Sequence, residues 1–595
     1  MKRAFNISVL ISSLLLFAAA VSAKETWVRV RTKNFTLVSN AGESKARKVA
    51  VELEQFRYAL SLLFPKARIE TPVPTTVFLF KSDDSFTPFK PKYKGKIKEN
   101  VGGYFVSTDD GNYIALASDA RGSLGSTEII FHEYEHFVVR NNVSGAPLWL
   151  NEGLAEFYST FSPDGERKAS LGTPISRHIM ALRQSYVQLP LEKLLAVDHK
   201  SPYYNESSKA GIFYAKSWAL VHYLMLGHDG RRKGQLGQFI NGLGTGVPLE
   251  ENFRQSFKAD YKTIEGELDA YVKKFLFPGL TITFNEQLDF AKEAQAAPLT
   301  EAESQFHLGD LLLHSNRPED AEAYLLKSLE LDNSIAAARV SLASVRLTQQ
   351  RLPEAISLLR EAVAKDPNDY SGHYHYANAL LFNRQHEEAL AEYRSAIRLK
   401  PDAPQVYFIF ARALESIGRD EEAAEAFTKG LDLNPRNTRM FRSRSYLFLR
   451  MGRNAAAASD ALMFLRRQGW RDDQSPYMAL AAYLGLLRSR QSAPAARLLE
   501  DVPARLDASQ WPYPVIRFLR REITKEELLK LATDNDKLTE AHAYVGLYLS
   551  LSGETDSALP HLRWVGEHGN KNFVEYPLAL AEMKRLEAEA GARAQ

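Results

Sequence analysis

Hydrophobic and polar positions change their period along this chain, and the change divides it. Up to residue 116 the apolar runs are mostly short. Trp27 to Val30 and Phe35 to Val38 read as strands, Glu43 to Leu63 as an amphipathic helix, and Val73 to Phe80 as a strand rich in β-branched and aromatic residues. Gly103 to Val106 and Tyr113 to Leu116 flank Asp109-Asp110-Gly111, a turn signal that predicts a hairpin. One of these strands is expected to offer a sheet edge on which an extended peptide can pair. From residue 129 the period becomes helical. Ile129, Ile130, Phe131, Phe137, Val138 and Val139 mark a core-facing helix, Asn141 to Pro147 ends it, and Trp149 to Phe157 forms the next. Ala210 to Gly227 and Thr263 to Phe275 read as further helices, and 278–300 as a linker.

Beyond the linker the chain repeats itself every 34 residues. Ala321, Ala355, Ala389, Ala423 and Ala457 share one column, Pro367, Pro401 and Pro435 another, and Gly309, Ala343, Ala377, Ala411 and Ser445 a third, all small. Leu325, Leu359, Tyr393 and Phe427 fill a fourth. Small residues suit close helix–helix contact, and proline ends a helix because it cannot continue the hydrogen-bond ladder. The pattern is that of tetratricopeptide repeats, about five over 301–471, the last degenerate because it lacks the proline. Pro476 to Leu499 and Thr539 to Val565 still read as helix pairs, so 472–595 is expected to continue the solenoid and to end in a helical cap from Ala581 to Gln595. Stacked repeats leave a concave surface suited to a protein partner.

Composition narrows the classes. An apolar share of 45% and a charged share of 25% are those of a soluble globular protein, and 595 residues call for more than one domain. Lys2 and Arg3 precede an apolar run from Ile7 to Ala20, and Val21-Ser22-Ala23 supplies the small residues of a cleavage site, so 1–23 reads as a signal peptide cut after Ala23. The mature chain is then an exported protein, periplasmic or secreted, with no transmembrane span. Cleavage removes two of the formal +3 charges and leaves +1, no footprint for nucleic acid. Lys90 to Lys98 is locally basic and reads as a solvated loop. There is no cysteine, which leaves histidine and carboxylate as metal donors.

The chemistry concentrates in His132-Glu133-Tyr134-Glu135-His136. Two histidines four apart place both rings on one helix face with Glu133 beside them, the arrangement that binds zinc in H-E-x-x-H helices. With 14 His and 72 acidic residues, chance supplies about 0.04 such matches per chain. A catalytic zinc takes three protein ligands. Glu152, sixteen residues after His136, is the expected third, while Glu156 one turn later either substitutes for it or holds a ligand histidine from behind. His222 and His228 read as structural.

His132 to His136 followed by Pro147-Leu148-Trp149-Leu150-Asn151-Glu152-Gly153-Leu154-Ala155-Glu156-Phe157 resembles the gluzincin zinc peptidases, in particular bacterial peptidase MA-like domains joined to helical repeats. The likeness is close over about 126–160. It implies an α+β zincin-like catalytic domain over 24–277 followed by the all-α repeat solenoid. It also implies a Zn²⁺ cofactor on His132, His136 and Glu152, with Glu133 as general base and Glu156 behind the ligands. Phe213 to Ala219 resembles the tyrosine helix of the aminopeptidase branch, which implies Tyr214 as oxyanion donor. That branch binds the substrate amine with a glutamate in a G-x-M-E-N strand. The nearest counterpart, Val101 to Phe105, has no glutamate, so the expectation is an endopeptidase acting on exported proteins or peptides. The competing class is a non-catalytic repeat adaptor of an envelope complex with a structural zinc.

Overall fold

The computed structural model describes residues 25–594, apart from 70–72, 94, 100, 109–110, 120–125, 144, 185, 187, 244–246, 286–287, 471, 503–505 and 507–509. The expected signal peptide and the Asp109-Asp110 turn lie outside the described residues. The chain forms two compact units, one of residues up to 138, 152–185 and 275–341, the other of 139–151, 186–274 and 342 onward.

In chain order the strands of the first unit are β1 (Val28–Arg31), β2 (Phe35–Ser39), β3 (Thr75–Phe80), β4 (Lys92–Tyr93), β5 (Lys96–Ile97), β6 (Gly103–Ser107), β7 (Asn112–Ala117), β8 (Ser162–Asp164), β9 (Lys168–Leu171), β10 (Leu280–Thr283) and β11 (Gln295–Pro298). Six form one sheet in the order β11-β1-β2-β3-β7-β6. β2, β3 and β7 run parallel, and the outer neighbours pair antiparallel. The parallel centre is buried on both faces, which is why Val77 to Phe80 and Ile114 to Ala117 are continuously apolar. The predicted 103–106 and 113–116 hairpin pairs as β6 and β7, and β6 is an edge.

Against this sheet stand α1 (Glu43–Leu63), the short α2 (Asp83–Phe86) and α3 (Ser126–Asn142), and α4 (Leu148–Ser159) and α5 (Ser176–Gln184) follow in chain order. The ring of Phe56 on α1 lies 4.5 Å from that of Phe131 on α3. Gly103 lets β6 lie on α3, since a Cβ there would come within 2.6 Å of the Ile129 side chain.

Two expectations are corrected in this unit. The linker 278–300 is instead woven into its sheets: β10 pairs with β9, and β11 pairs with β1 so that Val28 faces Pro298. These strands have four residues each and no sustained alternation, so no local period announces them. The repeats begin at 301 as expected, and their first helix pair belongs to this compact unit. Tyr113 donates to Asp310 at 3.0 Å, and Arg317 donates to the carbonyls of Pro88 and Lys90 at 2.7 and 3.0 Å, so helices Glu301–His314 and Pro318–Leu331 pack on the sheet. Finally, the basic segment is not all solvated. Lys90 is buried, donating to the Glu99 carbonyl and paired with Asp83, both at 2.7 Å.

The second unit is helical. Its repeat helices Tyr370–Phe382 and His386–Leu399, Pro404–Ser416 and Asp420–Leu433, and Thr438–Arg450 and Asn454–Gln468 form consecutive pairs. Every alanine of the Ala321 column and every large residue of the Leu325 column is fully buried. Pairs continue at Ser475–Arg488 with Ser492–Asp501 and at Asn535–Leu551 with Thr555–His568. A Cβ at Gly546 would come within 2.6 Å of Leu562, as one at Gly309 in the first unit would come within 2.8 Å of Leu325. The cap helix begins at Glu575, six residues before its expected start. Of the helices before the repeats, 210–227 is observed as Ser207–Leu226 and 263–275 as Tyr261–Val272. Among the described residues no helix is long and apolar enough to cross a membrane.

Candidate metal centre

The α3 sequence sorts itself by spacing. Ile130, Phe131, Tyr134, Phe137 and Val138 recur at helical intervals and are buried, which leaves His132, Glu133 and His136 on the other face, partly open. The chain reverses after α3, with Gly145 at φ +67°, a left-handed conformation glycine adopts without strain, and α4 returns. On α4, Leu154, Ala155, Phe157 and Tyr158 are buried, and Glu152 and Glu156, one turn apart, are buried with them.

The reversal brings three donor atoms to one point. His132 Nε2 and His136 Nε2 lie 3.1 Å apart, and Glu152 Oε2 is 3.6 Å from the first and 3.5 Å from the second. Tetrahedral zinc with bonds of about 2.0–2.1 Å holds its ligand atoms about 3.3 Å apart, so the donors fit that ion in kind and in spacing. Glu152 Oε2 is buried and accepts no hydrogen bond from the protein, so the carboxylate is desolvated without repayment unless a cation meets it. The electrostatics point the same way. Burial favours a neutral His132 ring, yet Glu152, Glu156 and Glu133 outweigh it and raise the ring to about 9, so the cluster attracts positive charge. Burial raises the Glu133 carboxyl to about 7; the neighbouring His132 charge opposes that rise and Glu152 adds to it.

Glu156 faces away from the three donors. Its Oε2 accepts from Arg177 Nη2 and His178 Nε2, each at 2.9 Å, while Oε1 stands 4.0 Å from His132 Nδ1. Burial works to raise its carboxyl, but His178, His132 and Arg177 prevail and hold it below the ordinary value. Of the two roles the sequence left open, this position favours support from behind over replacement of Glu152.

Thus His132, Glu133, His136, Glu152 and Glu156 come together in the first unit. Tyr214 belongs to the second, on helix Ser207–Leu226, partly exposed beside the rings of Tyr204 and Phe213. His222 is a satisfied core histidine, its Nδ1 2.8 Å from the Tyr271 hydroxyl. Arg177 and His178 were not singled out by sequence. They lie some twenty residues past Glu156 on a helix with no motif, and only a histidine beside an arginine hinted at an acidic neighbour.

Two family matches bear on these regions. Residues 306–370 and 374–438 match the Tetratricopeptide repeat family, so the repeats predicted from the period are present. Residues 128–250, which include the metal-centre residues and Tyr214, match a family described as Protein of unknown function (DUF1570). Among solved structures the chain is similar to the Pseudomonas aeruginosa pilF protein at 22% identity, covering 38% of this chain and 98% of that one with a TM-score of 0.31. It is also similar to YrrB, titled a TPR protein with an unusual peptide-binding site, at 13% identity, 33% and 98% coverage and a TM-score of 0.28. The corresponding values for MamA are 19%, 27%, 94% and 0.26.

Proposed function

We propose that this chain is a zinc-dependent endopeptidase of gluzincin type with a zincin-like catalytic domain, exported after cleavage at Ala23, and that its repeats bind the substrate protein or a partner. The observation that carries the reading is the convergence of His132, His136 and Glu152 donor atoms within 3.1–3.6 Å, with the partly open Glu133 on the same helix face. Those three residues would hold Zn²⁺, which when bound supplies acidification of water and polarisation of the scissile carbonyl. Glu133 takes the proton of the attacking water and returns it to the leaving amine, work suited to a carboxyl poised near neutrality. Glu156, with Oε1 4.0 Å behind His132 Nδ1, would act on that ring through its charge. The edge strand β6, resting on α3 through Gly103 and with Phe105 5.9 Å from Phe137, offers unpaired backbone groups to an extended peptide. Tyr214 as oxyanion donor rests on the family resemblance alone.

The repeats favour a second reading, a non-catalytic adaptor in which zinc is structural. Metal content and peptide hydrolysis, measured on wild type and Glu133→Gln, separate the two. Zinc-dependent hydrolysis lost in the variant supports the peptidase; a zinc-loaded wild type inert towards varied unfolded substrates supports the adaptor.

A further inference from the structure

α5 lies outside the two motif helices, yet it closes a chain of polar contacts that runs from the candidate donors through Glu156. Glu156 Oε2 takes one hydrogen bond from Arg177 and one from His178, both at 2.9 Å, and its other oxygen faces His132 Nδ1 at 4.0 Å. His178 is 5% exposed and Glu156 likewise 5%, so this is an interior contact rather than a surface ion pair. His132 Nδ1 is buried and makes no hydrogen bond within the protein, and the charged group facing it is the Glu156 carboxylate at 4.0 Å, so the electrostatic pull on the ring depends on where that carboxylate stands. A carboxylate with free rotation at its end would leave the ring free as well. Two donors on one oxygen remove that freedom: the planar Arg177 guanidinium and the His178 ring fix Oε2 from two sides, and Oε1 is then directed at His132.

We infer that Arg177 and His178 are positioning residues for the metal centre, acting on His132 through Glu156. The inference rests on the zinc reading given above. It makes α5, a separate element from the two helices that carry the motif, part of what sets metal affinity. Outer partners of ligand histidines commonly change metal affinity by about 10–100-fold, and a residue one contact further out acts through the same link. Because the effect passes through Glu156, it vanishes once Glu156 is gone.

The full-length chain tests this with zinc affinity from chelator competition, the visible spectrum of the cobalt-substituted protein, and thermal stability without metal. The set is wild type, His178→Ala, His178→Gln, Glu156→Ala and the double variant Glu156→Ala/His178→Ala. His178→Ala is expected to weaken zinc binding about 10-fold and to alter the cobalt spectrum. His178→Gln, which keeps an N–H donor near the same place, is expected to recover most of both, and the double variant to bind zinc no more weakly than Glu156→Ala. A purely structural contact would instead lower metal-free stability and leave the cobalt spectrum of the folded protein unchanged. That result, or losses that add in full in the double variant, overturns the inference. If wild type binds zinc and His178→Ala binds it equally well, this inference alone fails; a wild type that binds no zinc overturns the zinc reading along with it.

Discussion

Glu152 Oε2 on α4 stands 3.6 Å from His132 Nε2 on α3, although the two residues are brought together only by a reversal of the chain. The carboxylate is buried, and no protein hydrogen bond reaches that oxygen. A ligand role accounts for the burial of this oxygen beside two histidine rings, of which His132 is raised, against its burial, by the same carboxylate. Glu152→Ala is expected to cost at least about 100-fold in zinc affinity, more than loss of an outer partner, because a direct ligand is removed. Zinc retained by the variant after dialysis against a weak chelator at wild-type levels would count against the ligand set.

Glu133 separates binding from chemistry. Glu133→Gln keeps the shape and all three donors, so zinc content should match wild type while hydrolysis falls by about 10²–10⁴-fold, the usual worth of a general base. His136→Ala should lose metal and activity together. The sign of the pH effect follows from burial, which raises the Glu133 carboxyl to about 7. Protonation removes the base, so kcat/KM should fall as pH drops below that value. A bound cation favours the ionised form and moves the limb lower, never higher. An activity that rises on acidification from pH 7 to pH 5 would rule Glu133 out as the base.

How much of this was legible in the sequence depends on the range over which each feature is encoded. His132, His136, Glu152 and Glu156 were readable because helical spacing within two short segments puts them on faces, and the repeat columns because a 34-residue period needs no knowledge of partners. The parallel order of β2, β3 and β7 and the pairing of Val28 with Pro298 are long-range, and a strand of four residues leaves no period to read. The same blindness hid Arg177 and His178, whose role exists only relative to Glu156. Lys90 misled for a different reason: its neighbours are solvated lysines, and nothing local shows that Asp83 and the Glu99 carbonyl receive its charge.

Gly103 is a packing requirement as well as a strand residue. A methyl group there would meet Ile129 at 2.6 Å and Leu116 at 3.1 Å, so β6 would have to lift from α3. Gly103→Ala is expected to destabilise the chain by about 1–3 kcal/mol, the range for overpacked sites. The urea midpoint checks it. A midpoint equal to wild type would mean that the edge strand moves freely over the helix.

The repeat region carries a pH dependence of its own. Glu540 is buried, accepting from Trp511 Nε1 at 2.6 Å and Tyr477 Oη at 3.2 Å. Burial, with Glu575 adding repulsion, raises its carboxyl from 4.5 to about 8. The folded state therefore holds this proton more tightly than the unfolded state does. The resulting stabilisation is complete below the unfolded value and is lost as pH rises through the folded one. Between pH 5 and pH 8 wild type should lose more stability than Glu540→Gln, by at least about 1.4 kcal/mol, the equivalent of a single pKa unit. Glutamine keeps one acceptor oxygen for the Trp511 N–H and turns an amide N–H towards the Tyr477 hydroxyl, which can accept it, so the variant should fold and show the flatter profile. Parallel stability profiles for the two proteins across that range would show that Glu540 titrates normally.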